Sequence, residues 1–421
     1  MKDAPKESYG FRGILDDFLV VIKYKQLLIL SFAILVSMIG FGLIMPFLPI
    51  YAQMYGATDT QVGLMMGIFA VVRLATSPIG GWLADKIGRK PLMVFGMFLY
   101  TVVMYLFGTA TTLPELFLYR GGQGAASGLV WPVAMAYVGD IVKEKDRGKA
   151  MGLYTLMFAT GSAIGPMMGG LISTRYGLAM PFFITSLMAL LSGLTLLFGL
   201  KESFIPGEQV DKISKKLPKA SFLRPYQYLK SITPYPQTFL GISVGSFTLY
   251  FGLAALFPML PIYGMGVLGL SSFEIGILFT VMGVVQMVFM FPSGCIADRV
   301  GHKKMIVIGA FIAAVFAGLI VLAVGFYSII FIVAIYTMGR SISKPSIPAL
   351  VTSLTPISKR GRGMGIYTFF ENFAWAGGSI ASGMISDLFG KQYPFIFAMI
   401  IGIIGTVIII VTVVEPDRFL E

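Results

Sequence analysis

Five ionisable residues stand inside long apolar stretches of this chain: Arg73, Arg120, Arg340, Lys344 and Glu371. A charge is costly in hydrocarbon, so each marks a place that faces protein, water or a ligand. Glu371 is the one acid so placed, which makes it the candidate carboxyl for binding and releasing a proton. At helical rise, Lys344 counted from Thr352 and Glu371 counted from Gly363 both lie about 12 Å from the same membrane face. Arg73, counted from Asp85, lies about 18 Å in. Equal depth allows a Lys344–Glu371 ion pair, with Arg340 one turn above Lys344 on the same helix face. Arg120 never gives up its proton and acts through charge alone, on Glu371, on substrate or on bound water. The proton-coupling candidates are therefore Glu371, Arg120 and Lys344. The cavity candidates are Arg73, Arg120, Gln123, Trp131, Tyr250, Arg340, Lys344, Glu371 and Asn372. Four cations against one acid favour a solute with a carboxylate or phosphate. Aromatic residues on the same stretches (Phe41, Phe47, Tyr51, Trp131, Tyr137, Tyr250, Phe257) suit an amphipathic one.

The elements that hold these residues follow from composition. Of 421 residues, 56% are hydrophobic and 12% charged, with mean hydropathy +0.83. Soluble chains carry about 25% charged residues, so the solvent here is a bilayer. Apolar runs long enough to cross a core of about 30 Å recur throughout. Twelve spans are expected: 27–52, 61–83, 92–110, 115–139, 148–173, 179–200, 238–263, 272–296, 305–325, 328–353, 363–386 and 393–414. The fold class is all-α integral membrane, two six-helix bundles. The expected divisions are a segment 1–26 with a possible interfacial helix, a bundle at 27–200, a linker at 201–237, a bundle at 238–414 and a tail at 415–421.

The net charge of +12 sits in alternate short loops. This is the positive-inside pattern and not a nucleic-acid surface, and it places both termini in the cytoplasm of a multi-pass cell-membrane protein. Cys295 is the single cysteine, so no internal disulfide forms. No Ser/His/Asp set, metal-ligand cluster or nucleotide loop is present. The expectations are no enzyme activity, no metal and no cofactor, with an ion gradient as the energy source. The partners are the bilayer, a small amphipathic substrate and protons, with no obligate protein partner.

The chain repeats itself. Gly81-Trp-Leu-Ala-Asp85-Lys-Ile-Gly88-Arg89-Lys90 returns in the second half as Gly294-Cys-Ile-Ala-Asp298-Arg299-Val-Gly301-His302-Lys303. Arg147-Gly-Lys-Ala-Met-Gly-Leu-Tyr154 returns at the same offset as Arg360-Gly-Arg-Gly-Met-Gly-Ile-Tyr367, and Pro132 as Pro345. Two parallel six-span units, related by an axis along the membrane normal, leave a cavity between them at mid-membrane. Asp85 ends the second span where the N-terminus of the eleventh, near Gly363, offers unpaired N–H groups. An acid there latches the halves while the cytoplasmic side is closed, and Asp298 is placed to do the same toward Met151. The gating set is thus Gly81, Asp85, Gly88, Arg89, Lys90, Asp298, Arg299 and Gly301. Gly161, Gly165 and Gly169, with Pro166 and Gly170, form a flat, bendable stripe expected at the seam between halves.

The Gly81–Lys90 segment resembles the loop 2–3 signature of the major facilitator superfamily. Arg120-Gly-Gly-Gln123-Gly124 resembles that family's fourth-span arginine motif, and Gly161-Ser-Ala-Ile-Gly165-Pro166-Met-Met-Gly169-Gly170 the fifth-span motif of its proton-driven exporters. The resemblance covers essentially the whole membrane part and implies the drug:proton antiporter branch: proton-coupled export of amphipathic small molecules by alternating access. Members of that branch often carry an acid in the first span; Leu27 to Gln53 has none. The alternatives are a proton-coupled flippase of an anionic lipid or glycolipid and, more remotely, a non-transporting receptor or scaffold.

Overall fold

A computed structural model describes residues 23–203 and 225–415. The expected interfacial helix before residue 23, the middle of the linker and the residues after 415 lie outside them. Among the described residues there are twelve helices of eighteen residues or more and no strands. In the first half these are α1 (Lys25–Ile44), α2 (Asp59–Ile87), α3 (Arg89–Gly108), α4 (Leu113–Ile141), α5 (Arg147–Tyr176) and α6 (Met180–Gly199). The second half has α7 (Pro236–Gly266), α8 (Ser272–Val300), α9 (His302–Leu319), α10 (Phe326–Ser343), α11 (Arg360–Phe389) and α12 (Tyr393–Thr412). Except at their ends, helices pair their backbone donors and acceptors internally, which lipid demands.

Among the described residues, ten stretches are long and apolar enough to cross a membrane by themselves. The other two long helices, α4 and α11, carry Arg120 and Glu371. Both are packed between neighbours, α4 against α2 and α3, α11 against α7 and α2. Their polar residues are tolerated because protein surrounds them.

The halves repeat in detail. Thr58 with Gln61 and Ser271 with Glu274 form capping boxes at equivalent positions of the repeat, starting α2 and α8. Gly88 and Gly301 reverse the chain into α3 and α9 at φ of 100° and 105°, values that favour glycine. In the first half α1 packs on α5 and α6, α2 on α4, and α3 on α4 and α6. The second half pairs α7 with α11 and α12, α8 with α10, and α9 with α10 and α12. Two main seams join the halves, α2 with α11 and α5 with α8, with lesser contacts from α7 to α2 and to the short helix Leu48–Met54.

Equivalent prolines act differently. α1 stops at Ile44 and a short helix, Leu48–Met54, follows, whereas α7 runs unbroken through Pro258 and Pro261. Conversely α4 runs through Pro132, but α10 stops at Ser343 and the chain resumes helix at Ser346–Ser353. The linker's ends belong to the bundles. Residues Pro225–Ile232 are helical, and the Thr233 hydroxyl donates to the Leu354 carbonyl at 2.5 Å.

Candidate functional site

The two seams are tight at one end only. At the end away from the basic loops, a Cβ on Gly67 would lie 3.4 Å from the Ala376 carbonyl, and one on Gly170 2.7 Å from the Ser272 carbonyl. The Thr280 hydroxyl donates to the Ala163 carbonyl at 2.8 Å and accepts from the Met167 N–H at 3.1 Å. At the basic end, a Cβ on Gly81, Gly148, Gly152, Gly294, Gly361 or Gly365 would meet nothing within 4 Å. These glycines lie on the four seam helices α2, α5, α8 and α11. The cleft is therefore open toward the basic loops and closed at the far end.

The far end is held by an acid at a helix terminus. The Asp387 carboxylate, late in α11, accepts from the Asp59 N–H at 3.1 Å and the Thr60 N–H at 2.8 Å, at the start of α2. The Ser386 hydroxyl donates to the buried Asp59 carboxylate, which also accepts from Gln53 Nε2 at 2.7 Å. Free N–H groups and the positive end of the helix dipole explain the arrangement. This is the chemistry expected of Asp85, found at the opposite end of the same two helices. Sequence reasoning missed it because its partners are 327 and 328 residues apart.

Asp85 itself is exposed, and Gly363 packs on Thr355 and Phe239 instead. Arg89 pairs with Asp140 at the end of α4. Asp298 is exposed, 3.7 Å from His302 Nε2. The Glu202 carboxylate accepts from the N–H groups of Arg89 and Lys90 at 3.0 and 3.1 Å, capping α3. Glu415, its equivalent in the repeat, does the same for His302 and Lys303 at 2.7 and 3.2 Å, capping α9. The shared offset was a signal that could have found both.

Between the closed end and the open cleft lies a cavity of about 390 Å³. Phe41, Phe158 and Tyr154 wall it from the first half; Phe257, Arg340 and Lys344 from the second. Lys344 falls at the break in α10, its N–H donating to the Arg340 carbonyl at 2.9 Å. Glu371 is within electrostatic reach of Lys344, Tyr250, Arg73 and Arg340. Arg73, on α2, belongs to the other half, so Glu371 sits where the halves meet. Among the described residues no ion pair within 4.0 Å joins Lys344 to Glu371; the two are neighbours, not a bonded pair. Tyr250 and Tyr367 share a hydrogen bond of 3.1 Å beside them. Asn372 donates to its own helix at the Thr368 carbonyl, 2.8 Å away.

Four expectations need correcting. Arg120 is 1% exposed and Gln123 0%, both inside the first bundle. Arg120 donates to Gln123 and lies 4.5 Å from the Phe69 ring, with Met66 Sδ at 3.1 Å; Gln123 donates to the Tyr100 hydroxyl at 3.1 Å. A guanidinium so enclosed faces neither cavity nor Glu371. Trp131 lines smaller voids within the first bundle and packs edge-on against Phe158, centroids 6.0 Å apart. The stripe Gly161, Gly165 and Gly169 seats on α1 in its own bundle, near Leu35, Ile39 and Leu43. Only Gly170 and the backbone of Pro166 face the other half, at Ser272 and Gly276. Of the expected aromatics, Phe47, Tyr51 and Tyr137 are buried core.

The family model described as Major Facilitator Superfamily matches residues 30–271 and 242–420. Among curated relatives, "Multidrug resistance protein 2" of Bacillus subtilis is 27% identical over 379 residues, 90% of this chain and 92% of its own length. "Quinolone resistance protein NorA" of Staphylococcus aureus is 25% identical over 393 residues, 92% of this chain and 96% of its own. A solved bacterial homolog of the human lysosomal transporter Spinster, inward-facing and unoccupied, superposes with a TM-score of 0.78 at 17% identity, covering 92% of this chain and 97% of that one. The duplicated six-helix bundles, the two seams and the cavity between them are thus those of a multi-pass membrane transporter, and the chain belongs to the major facilitator superfamily.

Proposed function

We propose that the protein is a secondary active transporter of the cell membrane, working by alternating access as a proton-coupled antiporter that exports amphipathic small molecules. The reading takes the basic end and both termini as cytoplasmic. The single observation that carries it is Glu371 at the junction of the halves, with Lys344 and Arg340 on one side and Arg73 on the other. An ionised Glu371 attracts Arg73 across the seam and a protonated one does not, so a proton changes how strongly the bundles hold together. The bacterial relatives, named for multidrug and quinolone resistance, support export of drug-like solutes over lipid flipping. The aromatic wall at Phe41, Phe158 and Phe257 suits the apolar part of such a solute.

The test is dye flux in proteoliposomes under an imposed pH gradient. Glu371→Gln is expected to abolish pH-driven flux while dye binding persists; flux unchanged from the parent protein removes the carboxyl from the mechanism.

A further inference from the structure

A second, smaller pocket of about 50 Å³ opens inside the C-terminal bundle. Its walls are Leu253, Gly402 and the α9 alanines Ala310, Ala313, Ala314 and Ala317, with Arg340, Lys344 and Tyr250 at its polar side. Arg340 and Lys344 also line the central cavity. The two spaces therefore meet at these two cations. A small apolar recess with a pair of positive charges at its mouth suits an amphipathic anion: the alanines leave room for hydrocarbon, and the cations call for a carboxylate or a phosphate. The charge balance agrees. With Arg120 enclosed in the other bundle, the groups that face Glu371 are Arg73 from α2, Arg340 and Lys344 from α10 and its break, and the uncharged Tyr250 from α7. Tyr367, on the same helix as Glu371, hydrogen-bonds Tyr250. Three cations against one acid leave two positive charges unmatched even when Glu371 is ionised.

We propose that Arg340 and Lys344 seat the acidic group of an organic anion whose apolar part enters the alanine-walled pocket, and that this anion binds together with a proton at Glu371. The second half follows from linkage. A bound anion and an ionised Glu371 draw on the same lysine, so each weakens the other, and protonating Glu371 relieves the conflict. This rests on reading Glu371 as the proton site and gives that reading a rule. A cation that leans on Glu371 displaces its proton and is exchanged for it; an organic anion takes a proton along.

The experiment is binding to the detergent-solubilised protein, without any gradient, of three probes that share one apolar group: 4-phenylbutyrate, 4-phenylbutyramide and 4-phenylbutylamine. The carboxylate is expected to bind at least tenfold more tightly than the amine, and more tightly at pH 6 than at pH 8, with proton uptake measured in weakly buffered solution. Lys344→Met should remove the preference and Lys344→Arg retain it. Ala313→Leu, which fills the pocket, should weaken the carboxylate and the amide alike. Glu371→Gln should keep carboxylate binding and lose the proton uptake. Should Lys344→Met not fold, Arg340→Gln and competition by benzoate against the amide in the unaltered protein read the same seat. Equal affinity for the three probes, tighter binding of the amine, or Ala313→Leu without effect overturns the proposal. The two readings fail separately: pH-driven dye flux without carboxylate preference sinks the seat alone, and carboxylate preference without pH-driven flux sinks the antiport alone.

Discussion

At the positions where the second half carries Lys344 and Glu371, the first half carries Trp131 and Phe158. In the first half this pair is an edge-on aromatic contact. In the second it is a cation and a carboxyl without a direct bond, beside Tyr250 and the broken α10. Arg120 has an apolar counterpart, Val333, which is fully buried, and Arg73 has Gln286, which lines the cavity. One scaffold thus supports two interiors. The first half seals Arg120 inside and offers the cavity an aromatic wall with Arg73 beside it, and the second is polar and open to the cavity. Pseudo-symmetry supplies the place, and the side chains decide which half does chemistry.

The comparison breaks most directly if the second half is made to copy the first. Lys344→Trp combined with Glu371→Phe is expected to lower pH-driven flux by about 100-fold, the scale of losing a positioned proton-transfer group, with helical content by circular dichroism unchanged. Full flux would mean the charged pair is ornamental.

The two arginines sharpen it further. Arg120→Gln should destabilise the protein by about 1–3 kcal/mol, because it strips a buried network of a partner, with folded protein still transporting. Arg340→Gln should leave thermal unfolding near the parent's and change flux. Swapped outcomes would make Arg120, and not Arg340, the arginine that transport depends on.

The far-end latch is also one-sided, since the counterpart of Asp387 is Thr174. Asp387→Asn is expected to weaken closure by about 0.5–1 kcal/mol, the value of an exposed charge at a helix terminus. The readout is faster thiol labelling of a cysteine placed at Thr60, and unchanged labelling counts against the latch. The smallest effects belong to what the halves share. Glu202→Gln and Glu415→Gln should each cost about 0.5–1 kcal/mol of stability, as lost helix caps do. A large difference between the two would mean the symmetry fails at the basic end.

Much of the fold was legible in the chain. Lipid forces helices, apolar length sets each span, and one constant offset joins the repeated motifs, so the two bundles followed from the residues themselves. The capping boxes and the reversing glycines follow from local sequence too. Where side chains end up relative to the opposite half did not. Lys344, Arg340 and Glu371 read correctly as neighbours because equal depth on helices is a one-dimensional property. Arg120 has comparable polarity and a motif around it, yet it lies in its own bundle, since azimuth around a helix that is packed on several sides leaves no clear trace in hydropathy. The glycine stripe told that a helix approaches closely but not that the helix is α1.

Sequence alone therefore determined the number of long helices and their duplication, because those depend on length, apolarity and repetition. Only the tertiary structure decided which charges share a cavity, which seam is closed and which acid caps which helix. Those depend on rotation and tilt of packed helices, and on contacts between residues more than three hundred positions apart.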